Sequence, residues 1–412
     1  MNWLFMDMNS YFASVEQHLR PELRGRDIAV IPVESEGTCV IAASIGAKRR
    51  GIKTGTRVRE ARVLCPGITL VKARPALYVK VHHAILRSID QCAPVHKVYS
   101  IDEWAIKLLG EEKRPQRAVQ IGRQIKQKLL EDFSPWLTGS IGIAPTRLLA
   151  KIACDLQKPD GLVTLETSEL PGRLEHLKLT DLPGIAHGMV ERLQANGVHT
   201  VTELWNISRH QAKDIWSSVQ GEAWWLGFHG YDEPEPPTHR RSMTHASVLA
   251  PQFRNDAGAH GVIVRLLCKA ATRLRHHQYY ADRVHVSVQS YSGQTWYDQA
   301  PLQSTQDTLT ILRQFESLWQ KRPWTVPSRF GGTTNSWGTF SKVSIILSGL
   351  TPAAFTPGHL FPREERLGRL SQAMDKLDQR WGRHTVYVGS LHEYRHDMED
   401  KIAFGRIPDE VV

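Results

Sequence analysis

The sequence predicts a multidomain protein that joins an α/β part to an α+β part, and three observations lead to this prediction. Strand-like and helix-like segments alternate through residues 2–156. A run of short helical segments then occupies residues 170–230. Beyond it, residues 242–348 return to strands in which apolar and polar side chains alternate, mixed with long helices, which is typical of a separate α+β module.

The first part opens with an apolar strand at residues 2–8 and a helix at residues 10–18, for which Asn9 or Ser10 is the expected capping residue. A basic, glycine-punctuated stretch at residues 46–61 indicates a small inserted subdomain. The other predicted elements are strands at residues 28–32, 39–43, 95–100, 104–109 and 137–143 and helices at residues 117–132 and 146–156. This order favours an α/β domain with paired strands.

A proline-rich and charged stretch at residues 232–241 is the main predicted domain boundary. Residues 239–345 beyond it carry 13 Lys and Arg against 5 Asp and Glu, so most of the excess positive charge belongs to the last module. The predicted elements of that module are strands at residues 242–248, 283–290, 294–300 and 342–348 and helices at residues 256–277 and 305–320.

The composition excludes several classes of protein. The chain has 412 residues, 52 basic and 42 acidic side chains and a pI near 9.4, which favours a polyanionic partner. No apolar stretch is long enough for a membrane helix, and residues 1–12 lack the basic start of a signal peptide, so we expect a cytoplasmic protein. The five cysteines form no CxxC pair, which argues against a disulfide framework and a zinc site. A bound metal would therefore have oxygen ligands.

Three carboxylates are the strongest candidates for chemistry. Asp7 closes the first strand, while Asp102 and Glu103 lie at the bend between two β-rich runs, so that sheet formation can bring all three together. Such a cluster repels itself unless hard cations such as Mg²⁺ neutralise it. Two such ions would support phosphoryl transfer. The alternative is that Asp7 caps a helix and the other two are turn residues.

Three blocks of sequence resemble the Y-family DNA polymerases, in particular the bacterial DinB and UmuC type that copies damaged templates. They are MDMNSYFASVE at residues 6–16, YSIDEW at residues 99–104 and GSIGIAPTRLLAKIACDLQKPDG at residues 139–161. The resemblance covers nearly the whole chain. It implies a polymerase right hand with a ferredoxin-like palm, small fingers, a helical thumb with a helix-hairpin-helix, and an α+β little-finger domain.

The resemblance also implies where these parts lie along the chain. The expected division is a palm at residues 1–168 with fingers inserted at about 19–75, a thumb at 169–231, a linker at 232–241, a little finger at 242–350 and an extension at 351–412 that completes the little finger or forms a tail.

The same resemblance assigns roles to the site residues. It makes Asp7, Asp102 and Glu103 the catalytic acids and the ligands, with the backbone carbonyl of Met8, of two Mg²⁺ ions; Mn²⁺ fits the same oxygens. It places the nucleotide against Tyr11, the steric-gate residue Phe12 that excludes a ribose 2′-OH, Lys48 and the triphosphate-binding Lys158. Without the resemblance, Phe12 is more often interpreted as a core aromatic, and Lys151 and Lys158 as solvated lysines at a helix end.

Three departures from the family pattern stand out. The usual Tyr-x-x-Arg of the fingers is replaced by Ile45 and Lys48, and Lys48 keeps a positive charge but not a bidentate fork. Trp104 is bulkier than the small residue common after the acids, so it either narrows the pocket or packs in the core. Ala186 replaces the second glycine of the hairpin motif. These departures leave nucleotide affinity and the phosphate grip of the hairpin open.

Two regions are predicted to hold primer-template DNA. The run LPGIAHGMVERLQANG at residues 182–197 resembles a helix-hairpin-helix, in which Gly184 and Ala186 lie at the turn that approaches DNA phosphates. In the last module, the polar face of the strand at residues 283–290 is a stronger candidate for DNA binding than the helix that precedes it. The residues assigned to DNA there are Arg283, His285, Ser287 and Lys342.

The run PGHLF at residues 357–361 stands where related proteins carry a QxxLF-like sliding-clamp peptide. Pro357 replaces the glutamine, while Leu360 and Phe361 keep the hydrophobic plug. The two interpretations are clamp binding and packing in a core.

The expected function is low-fidelity, template-directed DNA synthesis that bypasses damage, with attack of a primer 3′-OH on the α-phosphate of a deoxynucleoside triphosphate. Two alternatives stay open at this point. One is a catalytically weak or inactive accessory protein of the same superfamily that binds DNA in mutagenic repair, and the other is a nucleotidyl cyclase with a similar palm. A DNA substrate would place the protein at the nucleoid.

Overall fold

A computed structural model describes residues 1–234, 239–327, 333–356 and 362–395 of the chain. The chain divides into two compact units, Met1–Glu235 and Pro236–Glu399, and the division falls inside the charged stretch at residues 232–241. The clamp-like run at residues 357–361 lies outside the described residues. No helix in the described ranges is both long and apolar enough to cross a membrane.

The first unit is an α/β structure followed by short helices, as predicted. Its strands are β1 (Trp3–Met8), β2 (Ile28–Ile31), β3 (Ala42–Ala43), β4 (Thr69–Lys72), β5 (Lys97–Ser100), β6 (Glu103–Lys107), β7 (Gly139–Ala144) and β8 (Leu162–Thr164). Its helices are α1 (Tyr11–Leu19), α2 (Ile45–Arg49), α3 (Val58–Leu64), α4 (Pro75–Asp90), α5 (Pro115–Asp132), α6 (Arg147–Leu156), α7 (His187–Ala195), α8 (Val201–Asn206), α9 (Arg209–Trp216) and α10 (Val219–Phe228).

A five-stranded sheet in the order β5-β6-β1-β7-β8 forms the centre of the first unit. Its middle strand, β1, is buried along its whole length and pairs antiparallel with both β6 and β7. Alternate side chains of β1 enter two different cores, because successive residues of a strand point to opposite faces. Leu4 and Met6 pack with α4 and α5, whereas Trp3 and Phe5 pack with α6 and with the helices α7 to α10.

The inserted subdomain has its own small sheet, in the order β3-β2-β4. Its strand β2 pairs antiparallel with β3 and parallel with β4. The helices α2 and α3 contribute Ala47 and Val58 to a separate core together with Ile31 of β2. The basic stretch at residues 46–61 thus contributes to two short helices of this subdomain.

The second unit is an α+β module. Its strands are β9 (Ser242–Val248), β10 (Tyr279–Ser290), β11 (Thr295–Thr305), β12 (Thr325–Pro327), β13 (Thr333–Asn335), β14 (Phe340–Ser348) and β15 (Thr351–Pro352), and its helices are α11 (Asp256–His276), α12 (Thr308–Trp319) and α13 (Pro362–Trp381). The main sheet has the order β11-β10-β14-β9.

The alternation predicted for β10 is confirmed. Val284, Val286 and Val288 are 0%, 1% and 0% exposed and pack against α11 and α12, while the residues between them are not buried. Helix α13, in the segment predicted to complete the little finger or form a tail, is attached to this unit by an ion pair in which Arg275 Nε lies 2.5 Å from Asp375 Oδ2.

The predicted capping of the first helix is wrong. Ser10 precedes α1, but its φ of 52° lies in the left-handed region and its hydroxyl makes no capping bond. The Asn9 side chain instead donates to Ser140 Oγ at 3.1 Å and accepts the Asp160 N–H at 2.8 Å. Asn9 therefore ties β1 to β7 and to the loop after α6. Its buried amide forms hydrogen bonds with these distant segments and not with the first turn of α1.

Candidate active site

The pairing of β1 with β6 brings the three acids together. Asp7 lies directly opposite Glu103, and the Met8 N–H donates to the Asp102 carbonyl at 2.9 Å. The predicted convergence of these backbone positions is therefore confirmed, although among the described residues the three carboxylates do not form a ready metal-binding cluster. The interpretation of Asp7 as a helix cap has no support, because α1 begins at Tyr11 and has no side-chain cap.

Two lysines from α6 and the loop after it meet the acids. Lys151 Nζ lies 2.5 Å from Asp7 Oδ2 and 2.6 Å from Glu103 Oε1. Lys158 Nζ lies 2.7 Å from the same Asp7 oxygen and 2.7 Å from Asp155 Oδ1. The site thus alternates negative and positive groups, and neither lysine is the solvated helix-end residue of the alternative interpretation.

The ammonium groups and the burial act on the two aspartates in opposite ways. Burial alone would raise the pKa of Asp7, but Lys151 and Lys158 more than reverse this and hold the pKa of Asp7 below its usual value. Burial, with the charges of Asp7 and Glu103 added, raises the pKa of Asp102 to about 6, although a hydrogen bond from Ser100 opposes the rise. Of these two aspartates, Asp102 is therefore the one whose negative charge is less well compensated by the protein.

The donor set fits a hard divalent cation. The carboxylates of Asp7, Asp102 and Glu103 and the carbonyl of Met8 all offer oxygen donors, and the mutual repulsion of the acids calls for added positive charge. In the described parts of the chain, no three acidic, imidazole or thiol groups already converge as a metal-binding cluster. The ammonium group of Lys151 lies between two of the acids instead.

The two aromatic candidates for nucleotide binding are buried in a core of the first unit. Tyr11 and Phe12 are each 3% exposed. The Phe12 ring stacks on Tyr78 at 4.6 Å between centroids, and the Tyr11 hydroxyl donates to the Tyr78 carbonyl at 2.7 Å. Phe12 thus has the core role of its alternative interpretation, Tyr11 is buried beside it, and contacts of either residue with a nucleotide stay predictions.

The inserted subdomain contributes Lys48 and Ile45 from α2. Burial and the charge of Lys158 lower the pKa of Lys48, while Asp7 and Asp102 oppose this, so Lys48 shares the electrostatic field of the acids. Ile45, at the place of the usual tyrosine, lines a cavity of about 280 Å³ together with Asp160. Of these two residues, Lys48 therefore interacts electrostatically with the acids, whereas Ile45 lines the cavity.

Trp104 packs in the core. It is 0% exposed, it stacks on His82 at 5.3 Å, and its indole N–H has no partner among the described residues. Of the two interpretations offered by the sequence, packing in the core is confirmed.

The candidate DNA residues lie in both units. In the first unit, Gly184 has a φ of 87°, which favours glycine, and Ala186 directly precedes α7 in extended conformation. In the second unit, Arg283 begins the polar face of β10, on which His285 bonds Ser348 Oγ at 2.6 Å. The other predicted contacts of that sheet are Ser287 on β10 and the exposed Lys342 on β14. DNA contacts by all of them stay predictions.

Sequence reasoning considered Lys151 only as one of two lysines at a helix end and Asn9 only as a helix cap, and it assigned neither residue to the site. The only local signal for Lys151 was its i, i+4 spacing from Asp155 on α6, where the two charged groups lie 3.7 Å apart. Asn9 gave no signal beyond being polar in an apolar run. Both act across more than 130 positions of sequence, which no local pattern predicts.

Comparisons with known proteins agree with this geometry. Residues 6–155 match the impB/mucB/samB family, and residues 240–360 match the C-terminal domain of that family. The chain is 31% identical to the DNA polymerase IV of Moorella thermoacetica over 390 residues, which covers 93% of this chain and 94% of that protein. It is 27% identical to DNA polymerase IV 1 of Bacillus subtilis, with 77% and 78% coverage.

Solved structures show the same fold. A Y-family DNA polymerase chimera of Dbh and Dpo4 superposes with a TM-score of 0.66 and 21% identity, covering 85% of this chain and all of that one. DinB from Sulfolobus solfataricus superposes with a TM-score of 0.54 and 21% identity, covering 84% of this chain and 98% of that one. With the paired acids at the ends of β1 and β6, these matches show that the chain belongs to the impB/mucB/samB family of DinB-type Y-family DNA polymerases.

Proposed function

We propose that this protein is a template-directed DNA polymerase of the low-fidelity, damage-bypass type. The observation that carries the proposal is the set of acids Asp7, Asp102 and Glu103 beside Lys151 and Lys158, in a chain whose family and fold are those of such polymerases. Retention of all three acids speaks against an inactive accessory protein. The match of residues 240–360 to the family's C-terminal domain speaks against a cyclase.

Asp7, Asp102, Glu103 and the Met8 carbonyl are the groups that would hold two Mg²⁺ ions. When bound, such ions neutralise charge on phosphoryl oxygens and lower the pKa of a hydroxyl nucleophile. The chain itself supplies Lys158, whose ammonium pairs with Asp7 and Asp155 but whose side chain is 35% exposed, so that it is accessible to a triphosphate.

We propose the remaining contacts from the residues that each part of the chain offers. Lys48 brings a second positive charge to the triphosphate from the fingers, and the Phe12 ring, backed by Tyr78, forms a rigid wall against a ribose 2′-OH. Backbone N–H groups around Gly184 and the polar face of β10 with Arg283 bind phosphates of primer-template DNA. We assign the palm to residues 1–168 with fingers at 19–75, the thumb to 169–231 and the little finger to 242–350.

Primer extension tests the proposal. Purified protein with Mg²⁺ and all four deoxynucleotides should extend a primer, and an Asp102→Ala, Glu103→Ala double variant should not, while it still binds primer-template DNA. Tight, salt-sensitive DNA binding by the wild type without any extension would contradict polymerase activity and support an accessory role.

We further propose that residues 357–361 bind a sliding clamp through Leu360 and Phe361, which would hold the enzyme on DNA in the nucleoid. Apolar plugs of this kind fit a hydrophobic groove in a partner. A pull-down with purified clamp should be lost in Phe361→Ala. Equal capture by wild type and variant would contradict the assignment.

A further inference from the structure

Lys151 lies between two of the acids, and the proposed binding of metal ions by these acids does not require a lysine there. Its Nζ bridges Asp7 Oδ2 at 2.5 Å and Glu103 Oε1 at 2.6 Å, the two carboxylates at the paired ends of β1 and β6. The same atom lies 5.2 Å from the centre of the Phe5 ring, and the side chain is 17% exposed. An aromatic face and two anions thus surround one ammonium group, and each of them attracts a cation.

The backbone that carries Lys151 is held in place. A Cβ on Gly142 of β7 would lie 2.0 Å from the Ala150 carbonyl oxygen, so α6 packs against the sheet with no room to spare. The first turn of α6 is capped by Thr146, whose hydroxyl also donates to the Gly227 carbonyl at 2.6 Å. The ammonium of Lys151 is therefore delivered to the acids by a fixed helix and not by a loop.

Lys151 uses oxygens that a divalent cation would need. A hard cation binds carboxylate oxygens at short range and strongly repels an ammonium group on the same oxygens. Lys158 differs, because its contacts are with Asp7 and Asp155 and not with Glu103. Of the two lysines, Lys151 alone bridges the pair of acids contributed by β1 and β6.

We propose that Lys151 is an internal counter-cation, a positioning residue that holds Asp7 and Glu103 together before a divalent cation binds and that must leave their oxygens when the cation arrives. Lys151 thereby sets the affinity of the site for divalent cations. The inference rests on the proposed function in one respect, namely that these acids are metal ligands.

Binding of Mn²⁺ to the full-length, metal-free protein tests the inference without DNA or nucleotide. The free-ion signal in electron paramagnetic resonance gives the dissociation constant. Lys151→Met should bind Mn²⁺ about tenfold more tightly than the wild type, because the competing charge is gone. Lys151→Arg keeps the charge and should bind like the wild type. Lys107→Met, which removes an exposed charge from the far end of β6, should change the constant by less than about twofold.

A melting experiment adds a second readout. In EDTA, Lys151→Met should melt below the wild type because Asp7 and Glu103 then repel each other, and Mn²⁺ should raise its melting temperature by more than it raises that of the wild type. If Lys151→Met does not fold without metal, Lys151→Gln, which still donates to a carboxylate, takes its place in both measurements.

Equal Mn²⁺ affinity in Lys151→Met and Lys107→Met would overturn the inference, as would wild-type binding that Asp7→Asn does not weaken. Failure of the proposed function is distinguishable. A wild type that binds Mn²⁺ as expected but extends no primer would refute polymerase activity and leave the role of Lys151 standing.

Discussion

Replacing Arg74 by methionine removes the main partner of a carboxylate that is fully buried. Glu16 is 0% exposed, and Arg74 donates to its two oxygens from Nε at 3.0 Å and Nη2 at 2.6 Å. The Tyr78 hydroxyl donates to the same carboxylate at 2.8 Å, and Tyr78 also stacks on Phe12. This cluster ties α1 to the start of α4 and fixes the back of the proposed sugar wall.

The size of the effect follows from these contacts. Removing one partner of a buried ion pair costs about 3–5 kcal/mol when the remaining charge has no other support. Arg74 is itself 36% exposed, and Tyr78 and Arg20, at 3.6 Å, still face Glu16 in the variant, so we expect a loss of about 2–3 kcal/mol for Arg74→Met. Glu16→Gln leaves a neutral amide and a guanidinium that reaches water, so we expect about 1–2 kcal/mol. In the double variant the losses should be less than additive.

Hydrogen exchange followed by mass spectrometry in increasing urea measures these losses. Peptides from α1 and α4 report on the first unit apart from the second, which a global melting curve would mix. If Arg74→Met costs no more than Glu16→Gln, the reasoning is refuted, because the larger loss is attributed to the carboxylate left without its partner.

Three further predictions follow from buried or crowded positions. His82 is 1% exposed, and burial lowers its pKa to about 4, so the unfolded chain takes up a proton that the folded chain resists. Lowering the pH from 7.5 to 5 should therefore reduce the free energy of unfolding by up to about 2 kcal/mol. In urea titrations, His82→Gln should lose less stability over this pH range than the wild type, and an equal loss in both proteins would contradict the prediction. Lys48→Arg should lower the KM for deoxynucleotides several-fold in primer extension, because a guanidinium group can donate two hydrogen bonds to a phosphate. An unchanged KM would contradict the assignment of Lys48 to triphosphate binding. Gly142→Ala should destabilise the first unit by about 3 kcal/mol or more, because its Cβ would meet backbone atoms of α6 at 2.0 and 2.2 Å; wild-type exchange protection of α6 would contradict this.

Much of the fold was predictable because it depends on neighbouring residues. The alternation in β10 decided which side chains are buried, since a strand repeats every two residues, and Val284 and Val286 are accordingly buried. The acids were predictable as a group because Asp7 ends a strand and Asp102 and Glu103 lie at a bend, and antiparallel pairing of such strands brings those positions together.

Other features were decided only by tertiary packing. Lys151 lies 144 positions from Asp7 and 48 from Glu103, and the two contacts exist because α6 packs tightly on the sheet. For Phe12, the local pattern favoured the core and the family resemblance favoured a pocket wall, and the stacking of Tyr78 from α4 on its ring is a tertiary contact that neither predicts. The sequence by itself determined the elements, the family and the acids, because these depend on local periodicity and short motifs. Only the tertiary structure decided that the ammonium of Lys151 lies between Asp7 and Glu103, because this contact depends on how elements distant in the sequence pack together.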